Sequence, residues 1–277
     1  MVLYKKILVI KKLYYYFYVY LDMISKSKNF NANTVKLDAG KFIHFINIEN
    51  IDSNLETLID KRIVSICEGK TNSDLNLIKR RLIDFLTPKR NTTIEMGAIA
   101  EFFLHLYLYD IGYKQEFLYL NLEEGSIKKG FDGYFSFKNE EWVLESKSGD
   151  ISTINISHTN KAKEAYFDLE EKIKGKTKNN PWQNAYNHAR TVGTKDNIQK
   201  NIKKLSDEFT YKKFHKIDDF NIIPCSTIFL NARWKVIDEL KIETDIKKII
   251  STFKCKKLNI ICINKKSIKL FWRYLKK

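Results

Sequence analysis

One stretch of this 277-residue chain, KGFDGYFSFKNEEWVLESKSG at residues 129–149, constrains its fold most strongly. Apolar and polar residues alternate on both sides of a short polar turn, the period expected of two paired strands. Yet Asp132, Glu145 and Lys147 stand where a sheet protein buries apolar side chains. By strand alternation, Phe131, Phe135 and Phe137 share one face and Asp132 shares the other with Tyr134. In the second strand Trp142 and Leu144 share a face, with Val143, Glu145 and Lys147 on the opposite one. Glu145 and Lys147 then lie about 7 Å apart and point the same way. A turn centred between Asn139 and Glu140 sets Asp132 opposite Lys147, with Glu145 as its diagonal neighbour. A one-residue slip in that pairing would turn Asp132 to the wrong side.

The rest of the chain supplies the layers around this hairpin. KFIHFINIEN (41–50) alternates like a strand, and residues 55–69 and 73–86 have the spacing of amphipathic helices, the second N-capped by Ser73. TPKRNTT (87–93) ends that helix and marks a boundary between an N-terminal α+β region (1–90) and a larger domain (91–277). A helix apolar almost all round follows (95–113), then strands at 115–121, 130–137 and 141–147. Helices are expected near 158–174, 181–192 and 195–209. Strands at 220–230 and 257–265 flank a helix near 235–252, and a short amphipathic helix ends the chain. This order predicts an α/β fold, a central mixed sheet flanked by helices.

Within 99–108 the apolar helix carries only two strongly polar residues, Glu101 and His105, four apart and so on one face. A carboxylate on a buried helix is costly unless something compensates it, and a metal ion at the sheet edge would do so. Two or three carboxylates can hold Mg²⁺, with Mn²⁺ as the alternative, through oxygen ligands. Such an ion polarises a phosphodiester and acidifies a bound water, while a neighbouring lysine orients that water and stabilises developing charge. Asp132, twelve residues, then Glu145-x-Lys147 on consecutive strands resembles the PD-(D/E)xK nuclease superfamily, with FD in place of PD. The resemblance implies Asp132 and Glu145 as metal ligands, Lys147 as a catalytic residue and Glu101 as an additional helix carboxylate and ligand.

Three blocks, MGAIAEFFLHLYL (96–108), KGFDGYF (129–135) and WVLESK (142–147), resemble more closely the nuclease subunit of the Hachiman anti-phage system. The likeness covers roughly residues 90–270 and is strongest in those blocks. That family's arginine and first helix glutamate fall on Met96 and Ala98 here, leaving Glu101 in place. The resemblance implies a metal-dependent DNase working with a superfamily 2 helicase that restrains it until foreign or damaged DNA is engaged. The same fold with its site unused, binding DNA or a helicase, is the competing expectation.

The formal charge of +16 favours a polyanionic partner, either nucleic acid or an anionic membrane surface. Lys, Asn and Ile are abundant together, as AT-rich coding produces, so charge alone carries little weight. Lys79, Arg80, Arg81, Lys89 and Arg90 form one basic cluster, and Lys161, Lys163, Lys172, Lys174, Lys176 and Lys178 another. Near a nuclease core they favour a DNA path without base readout, although each is equally a solvated helix face. PWQNAYNHAR (181–190) is similar to the glutamine–tyrosine helix of some exonucleases but is one residue short between Gln183 and Tyr186, and Trp182 reads as a core anchor. His105 could serve as a metal ligand or orient Glu101, but a satisfied core histidine is the favoured reading, and His158 and His188 read as non-catalytic. Cys67, Cys225, Cys255 and Cys262 lack zinc-site spacing and read as reduced thiols of a cytoplasmic protein. The apolar run 7–24 is interrupted by Lys11 and Lys12 and falls short of a bilayer, so no stable membrane insertion is expected. It reads either as a buried aromatic strand or as an over-extended start, residues 1–22, preceding Met23.

Overall fold

The structure is a computed structural model and describes residues 26–119 and 130–277. The apolar N-terminal run lies outside the described residues. Among the described residues seven strands form one sheet: β1 (Asn31–Asp38), β2 (Lys41–Ile48), β3 (Lys114–Gln115), β4 (Gly133–Phe137), β5 (Glu140–Asp150), β6 (Asn221–Phe229) and β7 (Lys257–Lys265). Their spatial order is β1-β2-β7-β6-β5-β4-β3. The four central strands β2, β7, β6 and β5 run parallel, and antiparallel pairs close both sides. The fold is α/β with a mixed sheet, as the element order predicts.

Both faces of the sheet are covered. On one lie α1 (Ser53–Glu68), α2 (Leu75–Leu86), α3 (Thr93–Asp110) and α8 (Lys269–Leu275). On the other lie α4 (His158–Ile173), α5 (Pro181–Thr191), α6 (Asp196–Thr210) and α7 (Glu239–Ile249). Two-sided cover explains why β6 is buried along its whole length and reads as a continuous apolar run. β2 lies between β1 and β7, so a strand from the first 50 residues pairs directly with one from the last 21. The sheet is thus continuous across residue 90.

Local differences from the sequence expectations have physical causes. β1 reads as polar because among the described residues it is paired on one edge only, by β2, and its residues are exposed or half-buried. The strand expected at 115–121 shrinks to Lys114–Gln115, although Glu116 still donates its N–H to the Tyr134 carbonyl at 2.9 Å. The N-cap of α2 is Asp74 rather than Ser73, whose hydroxyl bonds Glu68 instead.

The β4–β5 hairpin corrects the expected register. Phe137 pairs with Glu140, so the turn is Lys138-Asn139, one residue earlier than expected. Both turn residues have positive φ, 48° and 65°, the conformation a two-residue primed turn demands and one that asparagine tolerates. Moving the turn centre by one residue shifts the pairing by two, which preserves the faces. Extending the ladder from Gly133↔Leu144 sets Asp132 beside Glu145 rather than Lys147. Phe131 also departs from expectation. It precedes the regular strand and packs with Tyr134, Val143 and Trp182, on the face away from Phe135.

Candidate active site

β4 covers β5 only from Glu140 to Leu144, whereas β6 follows it from Trp142 to Asp150. Residues 145–150 therefore have no β4 partner on one edge, and Asp132 sits at that opening. Its backbone N–H donates to the Leu144 carbonyl at 3.2 Å, and its carboxylate accepts from the Ser146 N–H at 2.7 Å. Gly133, next to it, is required by space: a Cβ there would stand 2.5 Å from the Phe135 ring and 3.1 Å from the Leu144 Cβ.

α3 brings Glu101 to the same opening. Thr92 caps the helix by accepting the Glu95 N–H at 3.3 Å, and buried Glu95 accepts from the Asn91 N–H at 2.7 Å and from the Trp272 indole N–H at 2.6 Å. Those bonds tie the start of α3 to α8. His105, one turn beyond Glu101, is fully buried with Nε2 3.2 Å from the Asp132 carbonyl and 3.5 Å from Glu101 Oε1. Its place is structural, between the helix and the Asp132 backbone, but its Nδ1 is a buried nitrogen with no hydrogen-bond partner among the described residues. Tyr119 adds a hydroxyl that donates to the Ala98 carbonyl.

Glu101, Asp132, Glu145 and Lys147 line one cavity of about 260 Å³, together with Thr93, Ser146 and Tyr119. All four expected site residues thus meet. Two further ones come from α4. Lys172 donates to Glu145 Oε2 at 2.6 Å, and Asp168 takes a short hydrogen bond from Lys147, whose Nζ also lies 3.1 Å from Glu145 Oε1. Sequence reasoning placed Lys172 only in a basic cluster and did not single out Asp168. Their four-residue spacing on a helix is the available signal, and it is identical to that of an ordinary surface ion pair.

The electrostatics follow from burial. Burial and the charge of Glu101 push the Asp132 carboxyl up to about 6, against the pull of Lys172 and Lys147. Burial and the charge of Asp132 push Glu145 well up. Burial also opposes ionisation of half-buried Asp168, but its hydrogen bonds and the two lysines outweigh that and hold it near 2. Burial likewise opposes the Lys147 ammonium, and Glu145 and Asp168 outweigh it and raise its pKa. Asp132 and Glu145 are thus carboxyls raised by burial and by a neighbouring carboxylate, and two ammoniums hold the cluster together.

Among the described residues, no three histidine, cysteine, aspartate or glutamate side chains are arranged to hold a metal ion as they stand. The donor chemistry would nonetheless fit a hard cation: Glu101, Asp132 and Glu145 offer oxygens, and the charge repulsion that raises Asp132 and Glu145 is what such an ion would relieve. The local reason for the present arrangement is Glu145, each of whose oxygens accepts from a lysine.

Other candidates lie elsewhere. Gln183 bonds Ser206 and Asn187, and Trp182 is buried against Phe131 and Phe220. His158 bonds Ser226 and Asn264 inside the core, and His188 packs on Phe117. Several members of the basic clusters are paired: Arg80 with Asp84, Arg81 with Glu68, Lys161 with Glu164, Lys174 with Glu170 and Lys176 with Glu171. Cys67, Cys225, Cys255 and Cys262 form no disulfide among the described residues. Among the described residues no helix is long and apolar enough to cross a membrane.

No protein-family model matches the chain, and no curated protein matches its sequence.

Proposed function

We propose that this chain is a metal-dependent DNA nuclease of the PD-(D/E)xK kind, the effector of a cytoplasmic anti-phage defence pair with a superfamily 2 helicase. The observation that carries the enzymatic part is the meeting of Asp132, Glu145, Lys147 and Glu101 in one cavity. The defence role and the helicase rest on the three sequence blocks alone. Asp132, Glu145 and Glu101 would hold a divalent cation, which would supply charge neutralisation at a phosphodiester and an acidified water. Lys147 orients the attacking water and stabilises charge on the phosphate oxygens. Asp168 holds Lys147 charged and in place. DNA enters as a phosphate backbone, without base readout.

A second reading has its own observation. Both oxygens of Glu145 accept from lysines, as in a nuclease fold whose site has become a structural ion cluster that only binds DNA or a helicase. Plasmid DNA incubated with the purified chain and Mg²⁺, with and without the helicase and ATP, separates the two. The nuclease reading expects DNA loss that EDTA stops. Intact DNA under every condition leaves the binding module.

A further inference from the structure

Glu145 is 2% exposed, and its two oxygens are shared between two ammoniums. The E-x-K arrangement accounts for Lys147 only. Lys172 comes from α4, with Nζ 2.6 Å from Glu145 Oε2 and 3.4 Å from Asp168 Oδ2 and a side chain 13% exposed. Its neighbours Lys161, Lys174 and Lys176 pair with carboxylates of their own segment, whereas Lys172 reaches across to the sheet. An ammonium in hydrogen-bond contact with a carboxylate oxygen occupies the lone pairs and neutralises the charge that a hard cation would use. The two cannot hold Glu145 Oε2 together without strong repulsion. A lysine on its flexible four-carbon stem can, however, swing to solvent, at the cost of its contacts with Glu145 and Asp168.

We propose that Lys172 is a built-in counter-ion that competes with the divalent cation for Glu145. It keeps the carboxylate cluster intact without metal and must leave Oε2 for the metal to load. This rests on the reading of Asp132, Glu145 and Glu101 as metal ligands. Metal affinity is then set by the displacement of an internal ammonium. The released side chain stands beside the cavity, where a DNA phosphate can accept it, so substrate and metal favour the same displaced state.

The test uses the full chain stripped of metal and titrated with Mn²⁺, free ion being counted by electron paramagnetic resonance. Removing an opposite charge in direct contact with a ligand carboxylate should tighten binding about tenfold or more in Lys172→Met. Glu145→Gln should lose binding. In the wild type, acetylation of Lys172 by an N-hydroxysuccinimide ester, read by mass spectrometry, should be slow without metal and faster with saturating Mg²⁺. Wild-type metal binding that is no weaker than that of folded Lys172→Met, or that leaves Lys172 labelling unchanged, overturns the counter-ion role while leaving the ligand set in place. Absence of Mn²⁺ binding in both proteins overturns the ligand set and the proposal with it. Should Lys172→Met fail to fold by circular dichroism, the wild-type labelling decides alone.

Discussion

Asp132 carries a carboxyl that burial and the charge of Glu101 raise from its ordinary 3.8 to about 6. Between those values the folded chain binds more protons than the unfolded one, so this group's contribution is complete below 3.8 and is lost as pH rises through 6. Asp132→Asn keeps an acceptor for the Ser146 N–H and removes that loss. In metal-free protein it should gain up to about 3 kcal/mol over the wild type well above pH 6, and little near pH 4. Urea unfolding across that range checks it. His158 works in the opposite sense. Burial lowers its pKa from 6.5 to about 4, so stability is complete above 6.5 and falls as pH drops through that window. The advantage of the wild type over His158→Gln should shrink by about 3 kcal/mol from pH 6.5 to 4. A constant difference between the two would contradict a neutral buried His158. At this scale Asp132, Glu145, Lys147 and Glu101 were legible because charged residues in apolar periods stand out. Asp168 and Lys172 were not, because a helical Asp–Lys pair in a lysine-rich chain looks the same whether it faces solvent or a site.

The hairpin is the element on which the site depends. Its faces were legible from alternation within the paired residues, Phe131 before the strand excepted, but its turn was not, because a primed turn is fixed by two positive φ angles and Lys138-Asn139 is an unremarkable pair in sequence. The faces survive since a shifted turn centre preserves parity. Gly133 is the tight point, with Phe135 and Leu144 closing on the space a Cβ would need. Gly133→Ala should cost about 1–3 kcal/mol by overpacking and displace Asp132 next to it. Thermal unfolding and DNA cleavage should both fall, and an unchanged melting temperature would contradict the crowding. β6 and β7 were legible as continuous apolar runs because helices cover both faces. β1 was not, because a polar edge strand has the composition of a loop.

At the scale of the molecule, the element order predicted layers but not the order of strands. Sequence proximity suggested a boundary near residue 90, while pairing of β2 with β7 depends on contacts more than 200 residues apart in the chain. A fragment of residues 91–277 would expose the edge of β7 and the faces of α3 and α8 that α1 and α2 cover. It should aggregate or remain unfolded when expressed alone. A soluble, cooperatively melting fragment would make the first 90 residues a separate unit.

The most direct measurement pairs metal binding with DNA cleavage on the same three proteins: wild type, Glu145→Gln and Lys147→Ala. The wild type should bind Mn²⁺ and degrade DNA, and Glu145→Gln should lose both. Lys147→Ala should bind metal yet cleave about a hundredfold or more slowly, since charge stabilisation at the reacting phosphate is lost. Cleavage by Lys147→Ala at the wild-type rate, or a wild type that binds metal and leaves DNA intact even with a helicase and ATP, would contradict the nuclease reading.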